Sequence, residues 1–133
     1  MFVSILRQGD FLIASIHAAL DDTELVRFQD DLVEQIGVTR AKGIIIDIAA
    51  LDVLDSFGSA TLLDLARMAR LRGAETVIVG IQPDAAFTMV KLGMTLDIHT
   101  ALDLEQGLSL LEDETTGHRT GASTLSALRE RGS

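Results

Sequence analysis

The run KGIIIDIAAL, residues 42–51, strings β-branched residues together without polar alternation. A strand with one wet face alternates apolar and polar side chains, so a run apolar on both sides of the pleat needs cover on both faces of its sheet. ETVIVGI, residues 75–81, repeats the pattern. Between the two lies SFGSATLLDLARMARLRG, residues 56–73, with the length and apolar spacing of a helix. Two parallel strands need such a crossover, because their ends lie at opposite edges of the sheet. The three segments together require a parallel sheet with helices packed on it.

The flanks extend this unit. FVSILRQ (2–8) and FLIASIH (11–17) are separated by Gly9-Asp10, a hairpin signal that predicts two antiparallel strands. In LDDTELVRFQDDLVEQIGV, Leu25, Phe28, Leu32 and Ile36 keep helical spacing, and Asp21 precedes Glu24 by the interval of a capping box. Gly37 is expected to stop that helix. Pro83 opens a third helix, PDAAFTMVKLG, where its fixed φ is an advantage. DIHTAL (97–102) reads as a short strand, and DLEQGLSLLED as a last helix starting near Asp103. The expectation is an α/β domain over residues 1–113: a mixed, mostly parallel sheet of about five strands with about four helices. Residues 114–133, rich in Gly, Ser, Thr and Arg, are expected to form a flexible polar tail. KGIIIDIAAL should be the central strand.

The helix that begins after LDVLD attracts most interest. Ser56 is its expected N-cap and Gly73 its C′ residue. Apolar residues surround the helix and leave a narrow polar stripe at Thr61, Asp64 and Arg67. Such a helix needs cover on more than one side, from neighbouring elements or from a partner. In open α/β sheets function gathers where strands lead into helices, and the Asp55-Ser56 turn lies at that edge.

Several chemistries are excluded. A net charge of −9 disfavours nucleic acid, whose binding rests on cations neutralising phosphates. With five Phe and no Trp or Tyr, stacking platforms for bases are missing. No apolar run reaches the roughly 20 residues of a membrane span, and MFVSILRQGDF has no signal-peptide character, so a cytoplasmic location is expected. There is no Cys and hence no thiolate metal site. The Asp21-Asp22 and Asp30-Asp31 pairs read as a helix start and a solvated helix face, so neither a metal nor a cofactor is expected. Ser56 does not sit in G-x-S-x-G, and the only candidate bases of a triad are His17, His99 and His118. Phosphate-binding glycine loops are also absent. The chain is not expected to be an enzyme.

Two readings of Ser56 remain. In one it is simply a helix cap; in the other it accepts a phosphate at a helix N-terminus, where free N–H groups and the helix dipole favour negative charge. Phosphorylation would add about −1.5 to −2 charge beside Asp52 and Asp55 and repel an acidic partner.

ALDDTELVRFQDDLVEQI, then GIIIDIAALDVLDSFGSATLLDLARMARLRGAETVIVGIQPDAAFTMVKLGM, then TALDLEQGLSLL together resemble the STAS family of anti-sigma-factor antagonists over about Phe2 to Leu111. The likeness is strongest to the single-domain scaffold of the bacterial stressosome. The resemblance implies phosphorylation at Ser56, the serine directly after the Asp of the strand-to-helix turn. It implies a partner-binding surface around it at Asp52, Asp55, Phe57, Gly58 and Ser59. The implied partners are a switch serine/threonine kinase resembling RsbT, RsbR-type STAS paralogues and further copies of the chain itself. A simple anti-anti-sigma factor and a small-ligand-binding module are the alternatives within the fold. Ser59 and Thr61 stand as possible second acceptors.

Overall fold

The computed structural model describes residues 2–94 and 98–116. Its elements run β1 (Val3–Gln8), β2 (Phe11–Ile16), α1 (Asp22–Thr39), β3 (Gly43–Asp47), α2 (Ser56–Leu71), β4 (Glu75–Val79), α3 (Pro83–Lys91), β5 (His99–Ala101) and α4 (Leu104–Thr116). The strands form one sheet in the order β1-β2-β3-β4-β5, with β3 central as expected. β1 and β2 are antiparallel, and every other neighbouring pair is parallel. Gly9 supplies the positive φ of 61° that opens the two-residue hairpin turn.

The uninterrupted isoleucines of β3 are explained by what lies on either side. Ile44 and Ile46 join Leu12, Ala14, Ile16 and Ile78 on one face, packed against Phe28, Leu32 and Ile36 of α1 and Leu62, Leu65 and Ala69 of α2. Ile45 turns the other way, with Ile13, Val77 and Val79, against Leu111 of α4. Each face is dry, so both sets of side chains are apolar. On the second face α4 lies tight on the sheet. A Cβ on Gly107 would stand 2.8 Å from Val79 Cγ1, and one on Gly43 would stand 2.8 Å from Leu111 Cδ2.

The helix ends follow local chemistry, with two departures from expectation. The capping box of α1 forms as its sequence predicts: Asp21 Oδ1 accepts from Glu24 N at 2.7 Å, and Glu24 Oε1 accepts from Asp21 N at 2.9 Å. Gly37, however, does not stop this helix. It lies on an exposed face, where a glycine costs only about 1 kcal/mol, and the helix runs on to Thr39 before Arg40 ends it in the left-handed region at φ 54°. The second departure is at the start of α2 and is described below. At the end of α2, Gly73 takes φ 85° and donates to Arg70 O at 3.0 Å, while Ala74 N donates to Ala69 O at 2.9 Å. That pair of bonds is a Schellman closure. Asp103 Oδ1 accepts from Gln106 N at 2.9 Å and starts α4, which continues through Asp113 to Thr116. Asp97 of the expected last strand and residues 117–133 of the expected tail lie outside the described residues.

Candidate functional site

The site begins where β3 ends. Asp47 Oδ1 accepts from Ala49 N at 2.9 Å, and Gln82 Nε2 donates to Ala49 O at 2.9 Å, so the chain leaving the sheet is held from both sides. Gly80, at φ 73°, makes room for this turn, because a Cβ there would stand 2.8 Å from Ala49 Cβ. Leu51 N then bonds Ile48 O at 2.9 Å. Leu51 and Leu54 are buried and hook the loop into the core. Asp52 and Val53, between them, face solvent.

These anchors deliver Asp55 in extended conformation, φ −79° and ψ 178°, and Asp55 caps α2. Its Oδ1 accepts from Gly58 N at 2.7 Å, and its carbonyl accepts the first helical bond from Ser59 N at 2.9 Å. Gly58 allows the carboxylate to fold back so closely, since a Cβ there would lie 3.1 Å from Asp55 Oδ1 and 3.0 Å from Leu54 Cδ1. The expected cap, Ser56, is instead the first residue of the helix. Asp and Ser are equally good caps, and the buried hooks of the loop place Asp55 at the boundary.

Ser56 is therefore free of the structural duty that its sequence suggested. It is exposed, and its hydroxyl makes no hydrogen bond among the described residues. The N–H groups of Ser56 and Phe57 also have no acceptor among the described residues, being the first two of the helix. An anion at this hydroxyl would meet two unpaired donors and the positive end of the helix dipole.

The neighbouring hydroxyls are different. Ser59 is wholly buried, and its Oγ has no partner among the described residues. Thr61 is buried as well and donates to Phe57 O at 2.8 Å, while its carbonyl accepts from Gln29 Nε2 of α1 at 3.2 Å. Thr61 therefore does not belong to the polar stripe expected of α2, because α1 packs over it. The exposed stripe runs through Ser56, Ala60, Asp64 and Arg67. Neither Ser59 nor Thr61 is placed to accept a phosphate. Of the expected surface residues, Asp52, Asp55 and Phe57 are exposed, whereas Gly58 and Ser59 face inward. Val53, 66% exposed, adds an apolar side chain to this surface that sequence reasoning missed. Its placement between two buried leucines was the available signal.

Neither histidine among the described residues is bonded to Ser56. Ser4 Oγ and His17 Nε2 lie 3.0 Å apart, and His99 Nε2 is 3.6 Å from both Glu75 Oε1 and Glu114 Oε1. His118 lies outside the described residues. Among the described residues no cluster of His, Asp or Glu could hold a metal ion, and no helix is long and apolar enough to cross a membrane.

A five-stranded mixed sheet with four helices and an Asp-Ser turn at its carboxyl edge defines a class. The chain belongs to the STAS family, whose domain matches residues 3–107. Within that family it is similar to RsbS and RsbR proteins. An RsbS of Moorella thermoacetica carrying a serine-to-glutamate substitution superposes with a TM-score of 0.76 at 35% identity, over 84% of this chain and 95% of that one. A chain of the stressosome, described as a signal integration and transduction hub, superposes with a TM-score of 0.70 at 32% identity, over 85% and 99%. RsbRA of Bacillus subtilis, an RsbT co-antagonist protein, is 28% identical over 90 residues. That match takes in 67% of this chain but only 33% of RsbRA, so the chain spans about a third of that relative's length.

Proposed function

We propose that this chain is a non-catalytic stress-signalling scaffold of the RsbS type, working in the cytoplasm. It co-assembles with RsbR-type paralogues, holds an RsbT-like serine/threonine kinase, and releases that kinase when Ser56 is phosphorylated. The observation that carries the reading is the contrast across the first turns of one helix. Ser56 is exposed and unbonded beside two open N–H groups, while Ser59 and Thr61 are buried. The likeness to RsbS and to a stressosome chain supports the assembly, and the RsbT antagonism of RsbRA supports the choice of kinase.

The switch is electrostatic and local. A kinase that modifies Ser56 brings nucleotide phosphates up to the acceptor, and phosphoserine would then face them with Asp52 and Asp55 at its side. A loss of about 2 to 3 kcal/mol would weaken binding about 30- to 150-fold. Size separates this reading from a simple anti-anti-sigma factor, since a scaffold forms very large particles with its paralogue.

The test is intact-mass and peptide mass spectrometry after incubation with ATP and the kinase. A single phosphate on Ser56 and loss of the kinase from the complex are expected. Ser56→Asp should bind the kinase weakly, and Ser56→Ala should bind it without being modified. Equal behaviour of the two variants would remove Ser56 from the mechanism.

A further inference from the structure

At the edge of the sheet opposite Ser56, the carboxyl ends of α1 and α2 border a surface cleft of about 390 Å³. The buried Ile36 and Ala41 form its apolar base, and Arg40, Lys42 and Arg72 line it with no Asp or Glu among the described residues. No ion pair among the described residues joins any of the three to an acid, and the Arg72 side chain donates only to Met68 O, at 3.4 Å. Lys42 also lines a second cleft with Asp10 and Glu112, which leaves Arg40 and Arg72 as the centre of the first. In a chain of net charge −9 such a grouping needs a reason.

Two residues of the cleft break the local rules of their positions. Gly37 lies inside α1, where only proline is a poorer helix former, yet a Cβ added to it would meet nothing within 4 Å. Packing among the described residues does not call for a glycine there. Three residues on, Arg40 closes the helix at φ 54°, in the left-handed region that favours Gly or Asn. Among the described residues it alone, glycines apart, has a positive φ. The usual choice is inverted: a side chain is missing where one would fit, and a long cation stands where glycine would be unstrained. Local inconsistencies of this kind mark functional sites, and a glycine opens the backbone to close approach by a ligand.

We propose that this cleft binds a small anion carrying two phosphate groups. Cations at helix carboxyl ends also offset the helix dipoles, each of which presents about −0.5 charge there. Two helices thus present about −1 against three cations, so roughly +2 is left for a ligand. A diphosphate meets that surplus, and the two arginines offer the forked donors that phosphate oxygens accept in pairs. The volume lies within the range of about 300–1,000 Å³ typical of small-molecule sites. The 16 residues of α2 hold the cleft about 24 Å from Ser56, so the proposal does not rest on the reading of that serine.

Equilibrium dialysis of the full chain against labelled inorganic pyrophosphate, at low salt and without magnesium, tests the site. One-to-one binding is expected, with a Kd below about 1 mM. Arg40→Gln and Arg72→Gln should each raise Kd about tenfold, as loss of a charge-assisted hydrogen bond does. Gly37→Gln keeps every cation but fills the cleft, so it should block binding while the Tm stays level or rises, Gln being the better helix former. Arg27→Gln, which removes an exposed cation elsewhere on α1, is the control and should leave Kd unchanged. ADP as a second probe identifies the source: a lower Kd for ADP than for pyrophosphate names a nucleotide, and an equal or higher one names the free diphosphate. Failure of the unmutated chain to retain either probe would overturn the site. So would equal losses in Arg27→Gln and Arg40→Gln, which would mean that only overall charge is sensed, or binding that survives Gly37→Gln, which would put the anion elsewhere.

Discussion

Asp55, and not Ser56, starts α2, and the two single substitutions separate these roles by stability. Asp55→Ala removes the acceptor that holds Gly58 N at 2.7 Å and leaves one more donor of the first turn open. Replacing an Asp cap by Ala costs about 1 kcal/mol. In a folded unit of this size, that corresponds to a fall in Tm of about 4 °C. Asp55→Asn keeps an acceptor at the same place and should be close to neutral, which distinguishes the lost bond from the lost charge. Ser56→Ala removes a hydroxyl that bonds nothing among the described residues, so its effect should stay within about 0.5 kcal/mol. Thermal melts followed by circular dichroism measure all three, and hydrogen exchange at the Gly58 amide should quicken only in Asp55→Ala. A Ser56→Ala variant that loses as much stability as Asp55→Ala would refute the assignment of the cap and return Ser56 to a structural role.

Other perturbations test the packing. Gly107→Leu should push α4 off β4 by filling the 2.8 Å approach to Val79, and the overpacking of about 1–3 kcal/mol should outweigh the gain of about 1 kcal/mol in helix propensity. A lower urea midpoint would show it. Thr76→Val removes a buried hydroxyl with no partner among the described residues and should raise stability by about 1 kcal/mol, whereas a lower Tm would mean the hydroxyl is bonded in solution. Deleting residues 117–133 should leave both the Tm and the phosphorylation of Ser56 unchanged, as expected if the domain folds without its polar tail.

Much of the architecture is legible because its signals are local. The hairpin at Gly9-Asp10, the capping box of Asp21 and Glu24, and the Schellman glycine at Gly73 each depend on a few adjacent residues, and each forms as expected. The doubly covered strand was readable from Ile44, Ile45 and Ile46, since no half-wet strand keeps that composition. Gly37 misled because glycine both ends helices and sits harmlessly on their exposed faces, and only the backbone at Arg40 decides between the two.

Residue order alone thus specifies the elements, their succession and the presence of an Asp-Ser pair at the edge where strands lead into helices. Periodicity and turn chemistry act over a few residues and leave a readable trace. Packing settles which of that pair caps the helix, which hydroxyls of the first turns reach solvent, and what lies next to them. Those answers depend on Leu51 and Leu54 seating the loop, on α1 packing over Thr61 while Ser59 is enclosed in the interior, and on two helix ends distant in sequence meeting around one cleft. Burial is a property of what packs against a residue, and packing partners so far apart in the chain leave no local pattern in its order.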